Sequence, residues 1–174
     1  RGSTFRFRLP IERSAMENLK PPQKAKKPNK PPAEIPELRC RVLVVDDRHD
    51  IRFLAQHVLE EAGARVATAS DGLEALSVVQ QASLERLDFD IILMDMQMPV
   101  MDGYEAVTRL RKLGFTKPIL ALTAAAMQTD RDRCLTAGCT GYLSKPVESQ
   151  HLLAMVAYHI GVGPAPEPSS HVPE

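Results

Sequence analysis

Four short apolar runs in this chain are each followed by polar side chains that could do chemistry. The acidic pair Asp46 and Asp47 follows VLVV, and Asp95 follows IILM. Thr123 follows ILAL, and Lys145 follows GYLS. If the runs are parallel strands of one sheet, their carboxyl ends meet at one edge, where sheets of this kind bind ligands. The pattern therefore predicts that three carboxylates, a hydroxyl and an amine converge on one site.

Three carboxylates at one edge need a compensating cation. Each pair repels by on the order of 3–4 kcal/mol at ~5 Å when the effective dielectric constant is near 20. Mg²⁺ prefers oxygen ligands and is usually held by one or two carboxylates, waters and a phosphate oxygen. A carboxylate can attack phosphorus to form an acyl phosphate, while the cation and a fixed ammonium neutralise the phosphoryl oxygens. These residue types indicate a small phosphoryl-transfer centre, with Lys145 as the ammonium and Thr123 as a hydroxyl that bonds a phosphoryl oxygen.

The elements that must position these residues alternate from Arg41 onward. Short runs of β-branched and apolar residues suit strands buried on both faces, and the segments between them repeat apolar residues at helical spacing and often end at Gly. Asp71 can cap the second helix, with Leu73, Leu76 and Val79 facing inward. The predicted strands are 42–45, 65–69, 90–94, 118–122 and 141–143, and the predicted helices are 50–62, 72–81, 104–113, 129–137 and 148–160. Five such units with short connections imply a parallel sheet covered on both faces.

The chain divides into a basic leader and an acidic domain. Residues 1–41 hold eleven basic and four acidic residues, and the rest holds eleven and eighteen, so a formal net charge of zero hides about +7 and −7. Residues 1–14 contain a strand-like alternation. We expect 15–39 to be an extended linker, because its prolines remove backbone donors and its lysines repel one another; the alternative is that these lysines form a contact patch. The globular domain is predicted over 40–161 and a disordered tail over 162–174. An acidic domain argues against nucleic acid as a partner.

Other residues that could bind metals or form bridges point to packing. Cys40, Cys134 and Cys139 are odd in number and form no CxxC pair, which indicates reduced, buried thiols in the cytosol. The thioethers of a methionine cluster are soft ligands that do not suit Mg²⁺, so we expect them to fill the core and a loop. No apolar stretch approaches ~18 residues, so no membrane span is predicted. Because the chain does not begin with Met, we expect it to be a fragment of a longer protein.

The ordered set VLVVDD, ILMDMQMPVMDG, ILALTA and GYLSKP resembles the receiver domain of response regulators and hybrid histidine kinases, a CheY-like domain, over about residues 41–160. The resemblance implies a flavodoxin-like (βα)5 fold, an α/β doubly wound sheet of five parallel strands in the order 2-1-3-4-5. It implies that Asp95 is the phosphorylated residue and that Asp47 is a direct Mg²⁺ ligand. Asp46 would act mainly through bound water, and the Met96 backbone carbonyl would be a further ligand.

The same resemblance assigns the residues that respond to the phosphoryl group. Thr123 and Lys145 take the roles of the family's hydroxyl and lysine, and Tyr142 matches the aromatic residue that moves as the switch. The resemblance also implies a cis peptide bond before Pro146, which is plausible because an X-Pro bond lowers the cis penalty. Gln97 and Ala125 flank the phosphoryl group in this family. Because neither offers a base, we expect pocket geometry to set the phosphoryl lifetime.

The implied function is that of a phosphoacceptor in a two-component system or phosphorelay, switching the surface of its fourth helix, fifth strand and last helix. The donor would be a phosphohistidine on a histidine kinase, in cis or in trans, and the next acceptor a histidine phosphotransfer domain. The leader GSTFRFRLP resembles the last strand of a histidine-kinase ATP-binding domain, which suggests the C-terminal receiver of a hybrid sensor kinase. The fragment carries none of the kinase's ATP-binding motifs. It is expected to be cytoplasmic and not itself membrane-bound, within a parent protein that could be anchored in the inner membrane.

Three other functions remain open at this point. A free-standing phosphohydrolase could use Asp95 as its nucleophile, but such enzymes place an acid two residues later, where this chain has Gln97. A receiver-like interaction module that is never phosphorylated would not need the complete set of three acids, Thr123 and Lys145. A stand-alone response regulator would carry the same site without a kinase upstream.

Overall fold

The sheet has five parallel strands, as predicted. The computed structural model of the chain describes residues 37–124 and 128–165; the leader, most of the linker, Ala125 and the end of the tail lie outside them. The strands are β1 (Arg41–Val45), β2 (Arg65–Ala69), β3 (Ile91–Asp95), β4 (Ile119–Thr123) and β5 (Gly141–Ser144). Their order is β2-β1-β3-β4-β5, which confirms the predicted doubly wound topology. Central β3 and β4 are buried along their whole length, which explains their uninterrupted apolar sequences.

The helices begin and end close to the predicted positions. They are α1 (His49–Glu61), α2 (Gly72–Leu84), α3 (Gly103–Lys112), α4 (Gln128–Ala137) and α5 (Ser149–His159). The Asp71 carboxylate caps α2 by accepting from the backbone N–H groups of Leu73 and Glu74, and Asp102 caps α3 in the same way through Glu105. Gly63, Gly114 and Gly138 follow three helices with positive φ, the conformation in which glycine commonly ends a helix.

Two hydrophobic cores cover the two faces of the sheet. One lies between the sheet and α2, α3 and α4, and the other between the sheet and α1 and α5. The methionine cluster (Met94, Met96, Met98 and Met101) is buried in the first core, in agreement with the packing role expected for it. Cys40, Cys134 and Cys139 are buried free thiols, also as expected.

The prediction for Leu73 was wrong, because its side chain is 51% exposed. The inward face of α2 is formed by Gly72, Ala75 and Leu76. Leu73 lies about 100° around the helix from Gly72, and therefore outside that face. The helix also continues three residues past the predicted end at residue 81. In the part of the chain that the structure describes, no helix is long and apolar enough to cross a membrane.

Candidate functional site

The carboxyl edge of the sheet gathers the predicted polar residues. Asp46 directly follows β1, Asp95 ends β3, Thr123 ends β4, and Lys145 directly follows β5. These strands are neighbours in the order β1-β3-β4-β5, so the four side chains come from adjacent positions along one edge. Among the described residues three polar side chains are buried, and all three lie here: Asp46 is 0% exposed, Asp95 4% and Thr123 8%. Burying polar groups is costly unless they are paired, so their concentration at one edge calls for a local partner.

Lys145 is that partner, and it binds two of the acids. Its Nζ atom donates to Asp46 Oδ2 at 2.6 Å and to Asp95 Oδ2 at 2.7 Å. Its backbone N–H donates to the Thr123 carbonyl at 2.7 Å, which ties the residue to the end of β4. The following bond to Pro146 is cis, in agreement with the prediction. The side chain is therefore aimed back across the strand ends, where it bridges the β1 and β3 carboxylates.

The second oxygen of each buried carboxylate is held by its own loop. Asp46 Oδ1 accepts from the backbone N–H of Arg48 at 3.0 Å, and Asp95 Oδ1 accepts from that of Gln97 at 3.1 Å. The Arg52 guanidinium, one turn into α1, donates to the Asp46 carbonyl at 2.6 Å. Both carboxylates are thus fixed in orientation from two sides. A carboxylate oxygen can accept more than one bond, so each retains acceptor capacity.

The charges of the site affect one another's protonation. Burial raises the pKa of Asp95 and outweighs the opposing bonds from Lys145 and from the Gln97 amide. Burial alone would lower the pKa of Lys145, but the hydrogen bonds and charges of Asp46 and Asp95 together raise it. Lys145 therefore stays an ammonium at neutral pH. With Asp47 beside the pair, one ammonium faces three acids, and the pocket remains attractive to further positive charge.

The three acids fit a divalent cation. Asp46, Asp47 and Asp95 each offer a carboxylate oxygen, and these oxygens lie within 4.8 Å of one another. Asp47 is exposed and Asp46 is fully buried, in keeping with an outer, accessible ligand and an inner, supporting acid. The Met96 carbonyl accepts a bond from the Gly103 N–H at 3.3 Å and keeps a second lone pair. An all-oxygen donor set of this kind suits Mg²⁺.

The structure describes all but one of the remaining predicted residues. Tyr142 is half-buried on β5, in register with Ala121 of β4, and packs against the first core. Gln97 is exposed at the start of the loop after β3, and Ala125 lies outside the described residues. His49 is exposed at the start of α1.

Two contributors to the site were not predicted. Gly103 begins α3 so close to the end of β3 that an added Cβ atom would lie 2.2 Å from the Asp95 carbonyl oxygen. The sequence feature that could have indicated Gly103 is the Asp-Gly pair after MPVM. Such a pair is common in turns, so it indicates a close backbone approach only when the path of the loop is known. The sequence did not indicate a role for Arg52 at the site, because an arginine on the polar side of a helix is most often solvated. Its contact with the Asp46 carbonyl depends on how α1 leaves the strand.

The chain resembles the same family of known proteins in its sequence and in its fold. The family model described as "Response regulator receiver domain" matches residues 42–157. The chain is 42% identical over 106 residues to the sensor histidine kinase RcsC of Escherichia coli, covering 61% of this chain and 11% of that protein. It is 34% identical over 170 residues to the sensor histidine kinase GacS of Pseudomonas protegens, covering 93% of this chain and 18% of that protein. The chain thus spans less than a fifth of the length of either kinase.

Solved structures with the same fold include two that are informative here. The receiver domain of the sensor histidine kinase PA1611 from Pseudomonas aeruginosa, with magnesium coordinated in its active site cleft, is 38% identical with a TM-score of 0.61. That match covers 70% of this chain and 98% of that domain. The chemotaxis protein CheY4 of Vibrio cholerae is also 38% identical, with a TM-score of 0.64, over 69% of this chain and 98% of that one.

Proposed function

Because this chain belongs to the response regulator receiver domain family, the phosphoacceptor domains of two-component signalling, we propose that Asp95 is the residue that takes the phosphoryl group. The observation that carries this choice is the position of Asp95 among its neighbours. It ends β3, between the acids that follow β1 on one side and Thr123 and Lys145, from β4 and β5, on the other. Of the three clustered acids, it alone is flanked by anionic ligands on one side and by a hydroxyl and an ammonium on the other.

The transfer step follows from this arrangement. An Asp95 carboxylate oxygen attacks the phosphorus of a phosphohistidine; the new P–O bond forms as the P–N bond breaks, and the electron pair stays on the donor's imidazole nitrogen. Lys145 already lies 2.7 Å from Asp95, so its ammonium can follow the charge onto the phosphoryl oxygens. Thr123 ends the adjacent strand and supplies the hydroxyl for a phosphoryl oxygen.

Asp46, Asp47, Asp95 and the Met96 carbonyl are the groups that would hold Mg²⁺. When bound, the ion would add positive charge to that of Lys145 and so reduce the repulsion between the phosphoryl oxygens and the acids. The cluster of carboxylate oxygens within 4.8 Å supports this proposal. The magnesium in the cleft of the PA1611 receiver domain supports it by similarity.

The phosphoryl group would be read out through Thr123 and Tyr142. Movement of the Thr123 hydroxyl toward the phosphoryl oxygens opens space near β5 into which Tyr142 can turn. The surface formed by α4, β5 and α5 would then shift between two states. Tyr142 lies half-buried on β5 and next to α4, as this proposal requires.

The parent protein is proposed to be a hybrid sensor histidine kinase, with its kinase or a partner as donor and a histidine phosphotransfer domain as a further partner. The match to GacS supports this context, because it covers 93% of the chain and so includes residues outside 42–157. It is consistent with the likeness of residues 1–14 to the last strand of a kinase ATP-binding domain. On this reading 15–39 is the linker between the two domains.

The metal assignment can be tested with phosphoramidate, a small donor whose P–N bond resembles that of phosphohistidine. Asp47→Asn is expected to raise the Mg²⁺ concentration needed for half-maximal labelling by about tenfold or more, because it removes the accessible carboxylate ligand and even residues that only support metal ligands change affinity by about 10- to 100-fold. Asp50→Asn is a matched control, since Asp50 is an exposed acid three residues away that pairs with Arg48. Equal Mg²⁺ requirements for Asp47→Asn and the wild type would overturn the assignment. Failure of the wild type to be labelled would favour the unphosphorylated interaction module.

A further inference from the structure

Two arginines of α4 each lie over a tyrosine ring. The guanidinium carbon of Arg131 is 5.5 Å from the centroid of Tyr142 on β5, and that of Arg133 is 3.9 Å from the centroid of Tyr104 on α3. Both distances are within the range at which a cation is attracted to an aromatic face. Because residues 131 and 133 lie about 200° apart around a helix, these two contacts join opposite sides of α4 to β5 and to α3.

The exposed side chain of Arg131 lies over the ring of the half-buried Tyr142. The tyrosine packs against the first core and also carries the Arg131 cation over its ring. Lys145 at the same time bridges Asp46 and Asp95, a contact for which a phosphoryl group on Asp95 would compete. In this arrangement the cation stabilises the position of Tyr142, and the contact would be lost if the ring turned inward.

The C-terminal turn of α4 is held by buried and hydrogen-bonded groups, which oppose a shift of the helix together with Tyr142. Cys134 is buried, and its carbonyl accepts from the Cys139 N–H at 3.0 Å, closing the end of the helix. Arg111 of α3 donates to the Gly138 carbonyl at 2.9 Å and holds the same turn from outside. Since the C-terminal turn is fixed, movement of Tyr142 would separate it from Arg131 instead of carrying the helix along.

We propose that Arg131 is a positioning residue that holds Tyr142 in the unphosphorylated arrangement and so sets how readily the receiver adopts its phosphorylated state. The inference rests on the proposed switch role of Tyr142. In this proposal the contact between the Arg131 cation and the Tyr142 ring opposes the change to the phosphorylated state.

The sign and size of the effect follow from linkage. An interaction present only in the unphosphorylated state lowers the apparent affinity for any ligand that selects the other state, by the factor that the interaction contributes to the equilibrium. Removing the cation should therefore tighten binding of a phosphoryl mimic about two- to five-fold, which is the factor for a cation–π contact at an exposed site. Simple electrostatics predicts the opposite sign, because losing a positive charge should weaken binding of an anion.

The experiment uses the receiver labelled with 3-fluorotyrosine and titrated with beryllium fluoride at saturating Mg²⁺. The chain has three tyrosines and no tryptophan, so fluorine NMR resolves each ring, and Tyr142→Phe assigns the Tyr142 signal. Arg131→Gln is expected to move the unliganded Tyr142 signal toward its liganded position and to lower the half-saturating beryllium fluoride concentration two- to five-fold. Arg131→Lys, which keeps a cation, should lie closer to the wild type.

Arg133→Gln is the matched control, because it removes the same charge from the same helix but from a different tyrosine. It should leave the Tyr142 signal in place and should not tighten binding. The proposal is overturned if Arg131→Gln binds like the wild type or more weakly, if Arg133→Gln tightens binding equally, or if Arg131→Lys matches Arg131→Gln. It also falls if the wild type binds the mimic without a shift of the Tyr142 signal. A wild type that binds no beryllium fluoride at all would instead overturn the proposed function on which it rests.

Discussion

Substituting Gly103 by Ala should damage the acceptor site more than it damages the fold. Gly103 begins α3, and a Cβ atom there would lie 2.2 Å from the Asp95 carbonyl oxygen and 2.7 Å from the Met96 Cα atom. Both neighbours are backbone atoms, so neither can swing aside as a side chain would. Since real Cβ contacts essentially never fall below 3.0 Å, the end of β3 and the start of α3 must separate by about 0.8 Å.

The size of the effect can be worked from that displacement. Overpacking costs ~1–3 kcal/mol, and the better helix propensity of Ala returns about 1 kcal/mol of it, so we expect a loss of stability of about 0–2 kcal/mol. The rate of phosphorylation should be affected more strongly than the free energy of unfolding. A misplacement of ~1 Å of a reacting group can cost about 10²-fold in rate, and here the displaced residue is the proposed nucleophile. We expect phosphorylation to slow by about 10- to 100-fold.

The assay is the rate of labelling by phosphoramidate and Mg²⁺, followed by intact-protein mass spectrometry at a temperature where circular dichroism shows each variant folded. Gly114→Ala is the control, because Gly114 has φ +88° and nothing within 4 Å of an added Cβ. It should lose about 1–2 kcal/mol through left-handed strain alone and be labelled at the wild-type rate. If folded Gly103→Ala is also labelled at the wild-type rate, the link between this contact and the position of Asp95 is refuted.

Two further outcomes follow from single residues. Val100 is 81% exposed with φ +68°, a left-handed conformation that disfavours a β-branched residue, so Val100→Asn should raise the free energy of unfolding in urea by about 1 kcal/mol. Val162→Asn, at an exposed valine whose φ is not positive, should give no gain, and equal effects would refute the strain argument. Burial raises the pKa of Cys139 from 9.0 to about 12, so the stability that its neutral thiol confers is complete below pH 9 and is lost as pH rises toward 12. In urea titrations between pH 9 and pH 12, the free energy of unfolding should fall less steeply with pH for Cys139→Ala than for the wild type. An equal fall in both proteins would contradict the raised pKa of Cys139.

Most of the site's framework could be predicted because strand ends are local features. Each buried strand is an uninterrupted apolar run, and the first polar residue after it must lie at the carboxyl edge of a parallel sheet. Asp46, Asp95 and Thr123 were placed by this rule alone. The helix ends were predictable for a similar reason, since Gly63, Gly114 and Gly138 each mark a left-handed turn that other residues seldom adopt.

The contacts that depend on how separate elements pack could not be predicted. Lys145 was expected to face Asp95, but nothing in its sequence neighbourhood shows that its ammonium also reaches Asp46, 99 positions earlier in the chain. The exposure of Leu73 depends on where α2 lies over the sheet, and the Arg131 contact depends on the distance between α4 and β5. Periodicity specifies which face of a helix is apolar, but it does not specify what lies opposite a polar side chain.

The most direct test of the account is the site of labelling itself. Wild-type receiver incubated with phosphoramidate and Mg²⁺ should gain one phosphoryl group, labile to hydroxylamine as an acyl phosphate is, on the peptide that contains Asp95. Asp95→Asn should gain none under the same conditions, while retaining its fold by circular dichroism. Labelling of Asp95→Asn to the wild-type extent, or a label mapped to Asp46 or Asp47 in the wild type, would contradict the central claim.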